Sequence, residues 1–414
     1  MNLKLNHSIC NLQSSISITG SKSETNRLLL LQALYPNITL ENASSSDDSE
    51  VMAKALQSTQ NQIPNTQIDI HHAGTAMRFL TAYFSQKEGS EVALTGSARM
   101  QERPIKILVE ALQQLGAEIS YKVNEGFPPI KIIGKKITKN KVSLPANVSS
   151  QYISALLLIA PKLENGLELI LIGEITSIPY IKMTLALLND LGIETTFEGN
   201  VIAVTSKTQD PEPKTQVIES DWSSASYFYS IIALSQIGTQ ITLSSYKKQS
   251  LQGDSVLAEI YKDFGVETTF AENSIILLKS KALNPQTITH NLQNAPDIAQ
   301  TIAVTSFGLG LGCHLTGLHT LKIKETDRLE ALKTELTKLG ATISVTNDSL
   351  AIEPSNNLNT NILIQTYQDH RMAMAFAPLA LKTNIIIENA EVVSKSFPTF
   401  WEDLQSIGFN ISEV

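Results

Sequence analysis

Leu108–Tyr121 reads LVEALQQLGAEISY: apolar residues at helical spacing, a Leu-Gly-Ala step, then a short alternating stretch. Gly at the end of an amphipathic helix supplies the left-handed residue that closes it, and the period-two alternation that follows marks a half-buried strand. The phrase returns as LALLNDLGIETTF (Leu185–Phe197), LAEIYKDFGVETTF (Leu257–Phe270), LKTELTKLGATISV (Leu332–Val345) and FWEDLQSIGFNISEV (Phe400–Val414). The five glycines, Gly116, Gly192, Gly265, Gly340 and Gly408, stand 76, 73, 75 and 68 residues apart. Recurrence at so even a period indicates a repeated α/β unit of about 70 residues. A fainter copy without the glycine falls at Val51–Ile70, and six such units fill the 414 residues.

The Pro-containing stretch Thr205–Gln216, with Pro211 and Pro213, falls mid-chain and reads as a linker. The expected architecture is therefore α/β (α+β), two similar lobes of three units each. The length agrees, since roughly 150 residues per domain gives two to three domains. Two cysteines, Cys10 and Cys313, support neither a disulfide framework nor a four-ligand zinc site. The first residues lack the apolar stretch of a signal peptide, and no run approaches the ~20 apolar residues of a membrane span. These features predict a soluble cytoplasmic protein. Net charge is −8, from 32 Lys+Arg against 40 Asp+Glu, with no basic block. The charge pattern thus argues against nucleic acid as a partner, and an anionic ligand needs basic residues gathered locally.

Such gathering is present. Ile18–Arg27 (ITGSKSETNR) precedes an apolar run; Ser21 and Glu24 fit a capping box, which sets Lys22, Ser23 and Arg27 on the first turns of a helix. It is not a P-loop, because Ser21 stands where that motif needs Gly. Gly74, Thr75 and Arg78 open another helix, and Arg99–Pro104 leads into one beginning near Ile105 with Pro104 in its first turn. Ser149, Ser150 and Gln151 head an apolar helix, and Pro296-Asp297, Lys324–Arg328, Asp369–Arg371 and Lys395 stand at further helix starts. A helix N-terminus carries about half a positive charge and favours acidic neighbours. Lys22, Arg27, Arg78, Arg99, Lys324, Arg328, Arg371 and Lys395 stand there instead, and amides, dipoles and cations together call for an anion. Asp297 and Glu325 are the acids beside this set; no histidine spacing suggests a metal site.

GSKSETNR, AGTAMRF, RMQERP, SSQYISALL, SDWSSASYF, KETDRL, DHRMAMAF and KSFPTFW, in this order along the whole chain, resemble the 5-enolpyruvylshikimate-3-phosphate synthase family. The resemblance implies two lobes of three α/β units with the active site in the interlobe cleft. The N-terminal lobe is then 21–217, and 1–20 joins 218–414 in the other. It also implies transfer of the enolpyruvyl group of phosphoenolpyruvate to the 5-hydroxyl of shikimate 3-phosphate, with phosphate released and no cofactor or metal. A monomer is expected.

Carried over by position, Lys22, Ser23, Arg27, Ser149, Ser150, Gln151, Ser177, Tyr180, Asp297 and Lys324 surround shikimate 3-phosphate. Lys22, Gly74, Arg99, Gln151, Arg328, Arg371 and Lys395 surround phosphoenolpyruvate. Glu325 gives and retakes the carbon proton, Asp297 accepts the hydroxyl proton, and Lys22 assists the departing phosphate. His72, Phe79 and Thr320 depart from residues common in the family (Asn, Pro and Asn). Retention of Gly74 implies sensitivity to glyphosate, with Phe79 close to that wall. The alternatives are an inactive homologue that binds anionic metabolites, and the sister transferase acting on a UDP-sugar. The latter carries a cysteine near the position of Arg99, where this chain has none.

Overall fold

The computed structural model describes residues 1–7, 13–58, 66–147, 149–207, 209–281 and 287–414. Cys10 and parts of the Val51–Ile70 and Thr205–Gln216 stretches lie outside the described residues.

Among the described residues, four-stranded sheets of one design recur five times. In Thr66–Asp69, Glu91–Thr95, Glu118–Tyr121 and Ile130–Ile133, the first two strands pair parallel. The fourth lies antiparallel to the second, and the third takes the edge beside the fourth. The same order arises in Lys141–Pro145, Leu167–Ile172, Thr195–Glu198 and Val201–Val204, and again in Thr287–Asn291, Gly312–Thr316, Ile343–Val345 and Leu350–Ile352. Each second strand is preceded by a helix buried on nearly every side, such as Gly74–Gln86, Ser150–Ile159 and Ala299–Gly308. Each third strand is preceded by a helix with one apolar face; Lys106–Leu115 buries Leu108, Val109, Ala111, Leu112 and Leu115.

The glycine phrase marks this second kind of helix. All five glycines have positive φ, from 72° at Gly192 to 108° at Gly116, so a side chain there is strained and Gly closes the turn without cost. The faint copy at Val51–Ile70 is different: helix Asp47–Ser58 is followed by Thr66–Asp69, which opens the next sheet.

The remaining strands are shared out in an order the sequence does not announce. Gln13–Ile16 pairs parallel with Gln240–Ser244, while Lys214–Val217 pairs parallel with Ile38–Glu41. The latter pair is two-stranded among the described residues. The supposed linker Thr205–Gln216 therefore ends in a strand. The terminal sheet is completed by Leu3–His7, inserted between Ile385–Ile387 and Phe409–Glu413, with Leu5 opposite both Ile385 and Ile411.

The chain separates into two compact units, Ser21–Ile218, and Met1–Gly20 with Glu219–Val414. Ile218, expected on the other side of the boundary, is fully buried in the core of the first. In that unit Lys22–Leu34, Gly74–Gln86 and Ser150–Ile159 touch one another, with Leu30, Phe84 and Leu157 fully buried. In the other, Trp222–Leu234, Ala299–Gly308 and His370–Phe376 do the same, around Trp222, Phe376 and Phe400. Burying one such side chain contributes about 1.5–3 kcal/mol. Among the described residues no helix is long and apolar enough to cross a membrane.

Candidate active site

The inner helices of each unit bring their N-terminal ends together, so their amide ends and dipoles add. In Ser21–Ile218, Asp48 joins two of these ends: its Oδ2 is 3.3 Å from Lys22 Nζ and its Oδ1 3.8 Å from His72 Nε2, two residues before helix Gly74–Gln86. Gln151 Nε2 donates to Thr75 Oγ1 at 3.0 Å and joins the third. Ser21 and Ser149 cap their helices by accepting from Glu24 N–H (3.5 Å) and Gln151 N–H (3.3 Å). Ser150 is the first residue of its helix, and Ser177, at φ 54°, leads into helix Ile178–Asp190, on whose first turn Tyr180 lies.

Arg27 is nearly fully buried and, among the described residues, donates only to neutral oxygens. These are Thr184 Oγ1 (2.8 Å), Ser154 Oγ (2.9 Å) and the carbonyls of Ser23 (2.7 Å) and Tyr180 (3.3 Å). Burial draws its pKa down to about 10, against the opposing influence of Tyr180 and Glu24. A buried cation whose partners are neutral favours an anion beside it. Phe79, fully buried, lies under the guanidinium with its ring centroid 5.5 Å from Cζ. The departure at Phe79 therefore packs against an expected ligand residue.

The basic segment after Thr95 carries two arginines with different surroundings. Arg99 lies on the short helix Ala98–Gln101, its side chain half exposed and paired with Glu102 at 2.9 Å. Arg103 instead reaches Gly74: a methyl group built on Gly74 comes within 2.7 Å of Arg103 Nη1 and 3.0 Å of Arg78 Nη1. Arg103 Nε is buried without a hydrogen-bond partner among the described residues. Arg78 is a brace: it donates to the Gly74 carbonyl at 2.9 Å and the Pro104 carbonyl at 3.4 Å. Pro104 precedes the helix, which starts at Lys106. Arg99 and Arg103 are equally basic and four apart, so composition alone could not choose between them.

In the second unit Arg328, only 2% exposed, holds three carboxylates on three nitrogens: Asp369 on Nε (2.7 Å), Asp297 on Nη1 (2.8 Å) and Glu325 on Nη2 (2.8 Å). Lys324 and Glu325 lie just before the helix, which starts at Arg328 and is capped by Asp327 accepting from Leu329 and Glu330 N–H. Asp369 also caps the next helix, accepting from Arg371 N–H at 2.9 Å. Asp297 is further faced by Lys324 Nζ at 3.5 Å and Arg371 Nη2 at 3.4 Å. Burial alone would raise its pKa, but Arg371, then Lys324 and Arg328, outweigh burial and hold it well below the usual carboxylate range. Burial likewise lowers the Lys324 amine. Lys395 donates to the Gln368 carbonyl at 2.7 Å, and Thr320 Oγ1 is buried without a partner among the described residues.

In the first unit Arg27 is bonded to neutral groups, suited to holding an anion, while Lys22 faces Asp48; the second unit interlocks cations with carboxylates, suited to proton transfer beside an anion. Missing from the residues singled out above is Asp254, whose SLQGD context looks unremarkable; burial, visible only after folding, sets it apart.

By fold and side-chain arrangement the chain is of a class defined by repeated α/β units whose inner helix N-termini gather basic side chains. The family model described as EPSP synthase (3-phosphoshikimate 1-carboxyvinyltransferase) matches residues 57–404. The chain is 46% identical over 407 residues to the 3-phosphoshikimate 1-carboxyvinyltransferase of Bacteroides fragilis strain YCH46, covering 97% of this chain and 96% of that one. It is 37% identical over 423 residues to the Haemophilus influenzae (strain Rd) protein of the same name, covering 96% of each. The solved EPSP synthase of Acinetobacter baumannii matches in fold with a TM-score of 0.78 at 21% identity over 100% of both chains. The chain belongs to the EPSP synthase family.

Proposed function

We propose that the protein transfers the enolpyruvyl group of phosphoenolpyruvate to the 5-hydroxyl of shikimate 3-phosphate, releasing phosphate. The family and the near-full-length relatives support the overall reaction. The observation that carries the site assignment is the split between anion-ready cations, Arg27 and Arg103, and the carboxylates around Arg328. Shikimate 3-phosphate is assigned to Lys22, Ser23, Arg27, Ser149, Ser150, Gln151, Ser177, Tyr180, Asp297 and Lys324. Phosphoenolpyruvate is assigned to Lys22, Gly74, Gln151, Arg328, Arg371 and Lys395, with Arg103 in place of Arg99. The reaction belongs to aromatic biosynthesis in the cytoplasm, carried out by a monomer.

In the proposed chemistry Glu325 protonates the methylene carbon of phosphoenolpyruvate. The adjacent carbon becomes electrophilic and the 5-hydroxyl oxygen bonds to it while Asp297 takes the hydroxyl proton. The tetrahedral adduct then breaks its carbon–oxygen bond to phosphate, Lys22 assisting, as Glu325 retakes a methyl proton. Asp297 held ionised by three cations is a weak base; substrate anions that engage Arg371 and Lys324 reduce their hold and raise its pKa toward the range useful for catalysis.

The test is phosphate release from phosphoenolpyruvate with shikimate 3-phosphate or UDP-N-acetylglucosamine as acceptor. Release with shikimate 3-phosphate alone is expected; release with the UDP-sugar alone, or with neither from folded protein, overturns the proposal. The Gly74 pocket makes a second prediction. Arg103→Ala is expected to raise KM for phosphoenolpyruvate at least tenfold, the scale of a lost charged hydrogen bond, and Gly74→Ala to do so by displacing the same guanidinium. Arg99→Ala is expected to leave that KM within about twofold, as befits an exposed pair. The reverse ranking restores Arg99 to the site. Glyphosate inhibition, which belongs to the same reading, weakens in Gly74→Ala.

A further inference from the structure

Asp254, on the turn Gly253–Val256 and 2% exposed, is unused by the roles assigned above. Its Oδ2 accepts the Ser223 hydroxyl, while Oδ1 is buried without a hydrogen-bond partner among the described residues. Ser223 Oγ in turn accepts from Arg371 Nη2 at 3.3 Å. The same guanidinium is also held by Asp297, whose Oδ2 shares Nη2 at 3.4 Å and whose carbonyl accepts from Nη1 at 3.2 Å. Gln252 fixes the turn against helix Trp222–Leu234: it accepts from Trp222 N–H at 2.9 Å and donates to the Ser220 carbonyl at 2.9 Å. Asp254 and Ser223 are thus held in register.

We infer that Asp254 is a positioning residue for the transfer: through the Ser223 hydroxyl it fixes the orientation in which the Arg371 guanidinium receives phosphoenolpyruvate. The inference rests on the assignment of Arg371 to phosphoenolpyruvate. A serine hydroxyl accepts well from arginine only when its own proton points elsewhere, and the ionised Asp254 carboxylate takes that proton. The charged groups facing Asp254 are Asp297 on the turn Pro296–Ile298, Arg371 on helix His370–Phe376 and Asp221 at the cap of Trp222–Leu234. Burial, then Asp297, pushes the carboxyl up to about 7, against Arg371 and the Ser223 hydroxyl, so the relay is complete on the alkaline side and relaxes as the group protonates.

The experiment compares steady-state kinetics of Asp254→Asn, Ser223→Ala, Ser223→Thr, their Asn/Ala double variant and Arg371→Lys, each checked for folding by its melting transition. At about pH 8, Asp254→Asn and Ser223→Ala are each expected to raise KM for phosphoenolpyruvate about tenfold, with kcat and KM for shikimate 3-phosphate within about twofold. The double variant should be no worse than either single, and Ser223→Thr, which keeps the hydroxyl, should stay near wild type. The ratio of the Asp254→Asn KM to the wild-type KM, in which the titration of phosphoenolpyruvate itself cancels, should fall toward one as pH drops below about 7. Unchanged KM, multiplying effects in the double variant, a flat ratio, or an equal rise in KM for shikimate 3-phosphate overturns the inference. If Arg371→Lys leaves KM for phosphoenolpyruvate unchanged, the assignment of Arg371 falls and the inference with it. If Arg371→Lys raises it while the Asp254 and Ser223 variants do not, the positioning role alone falls. Should Asp254→Asn fail to fold, Ser223→Ala and Ser223→Thr carry the same contrast.

Discussion

Arg328→Ala is expected to lose about 3–5 kcal/mol of stability at neutral pH and most of its turnover, because removing one partner of a buried ion cluster leaves the others uncompensated. Asp369, Asp297 and Glu325 each depend on a different nitrogen of this one guanidinium. Lysine presents a single ammonium, so Arg328→Lys should recover little of the loss. The pH dependence has a definite sign. In the wild type Asp297 has a depressed pKa, so its stabilisation is complete above the unfolded carboxylate value near 4 and is lost as pH falls through the folded value. In Arg328→Ala the three carboxylates lose their shared cation, although Asp297 keeps Lys324 and Arg371, and acid relieves the repulsion left among them. The stability gap should therefore narrow from pH 7 toward pH 4. Urea denaturation across that range reads it directly; a gap of constant size means that the carboxylates are not what the arginine neutralises.

Glu325→Gln is expected to lower kcat about 10²- to 10⁴-fold, the usual contribution of a general acid–base group, and Asp297→Ala to fall in the same range. Glutamine keeps the shape and an oxygen that can accept from Arg328 Nη2, now at 2.8 Å from Glu325 Oε2, yet has no proton to give carbon. The melting temperature of Glu325→Gln should consequently change little while turnover collapses, which separates catalysis from folding. Near-wild-type kcat in both variants removes the proton-transfer assignment and leaves these acids as counter-ions of Arg328 alone.

How far the sequence could be read depended on the range of the interaction. Gly116 and its four counterparts are required by a backbone angle set within one helical turn, so the repeat and the fold class are visible in the string. Strand exchange is not: KTQV at Lys214–Val217 has no apolar alternation, and its partner Ile38–Glu41 is distant in sequence. The prolines just before it therefore look like a linker. Among the residues proposed for the site, Lys22, Ser149, Gln151, Asp297, Glu325, Arg328 and Arg371 stand in motif contexts that single them out. Whether Arg99 or Arg103 meets Gly74 depends on the short helix Ala98–Gln101 and the turn after it, where neither periodicity nor charge discriminates. Asp254 is distinguished only by loss of solvent.

The exchange of strands also imposes an order on synthesis. The helices and sheets of Ser21–Ile218 come from one uninterrupted stretch, so that unit has all its partners once Ile218 has been made. Gln13–Ile16 must wait for Gln240–Ser244, and Leu3–His7 for Ile385–Ile387 and Phe409–Glu413. At roughly 5–20 residues per second the earliest strand stays without its mates for tens of seconds. During that wait Leu3–His7 presents unpaired strand edges, an exposure that an assembling chain must survive before those two partner strands arrive.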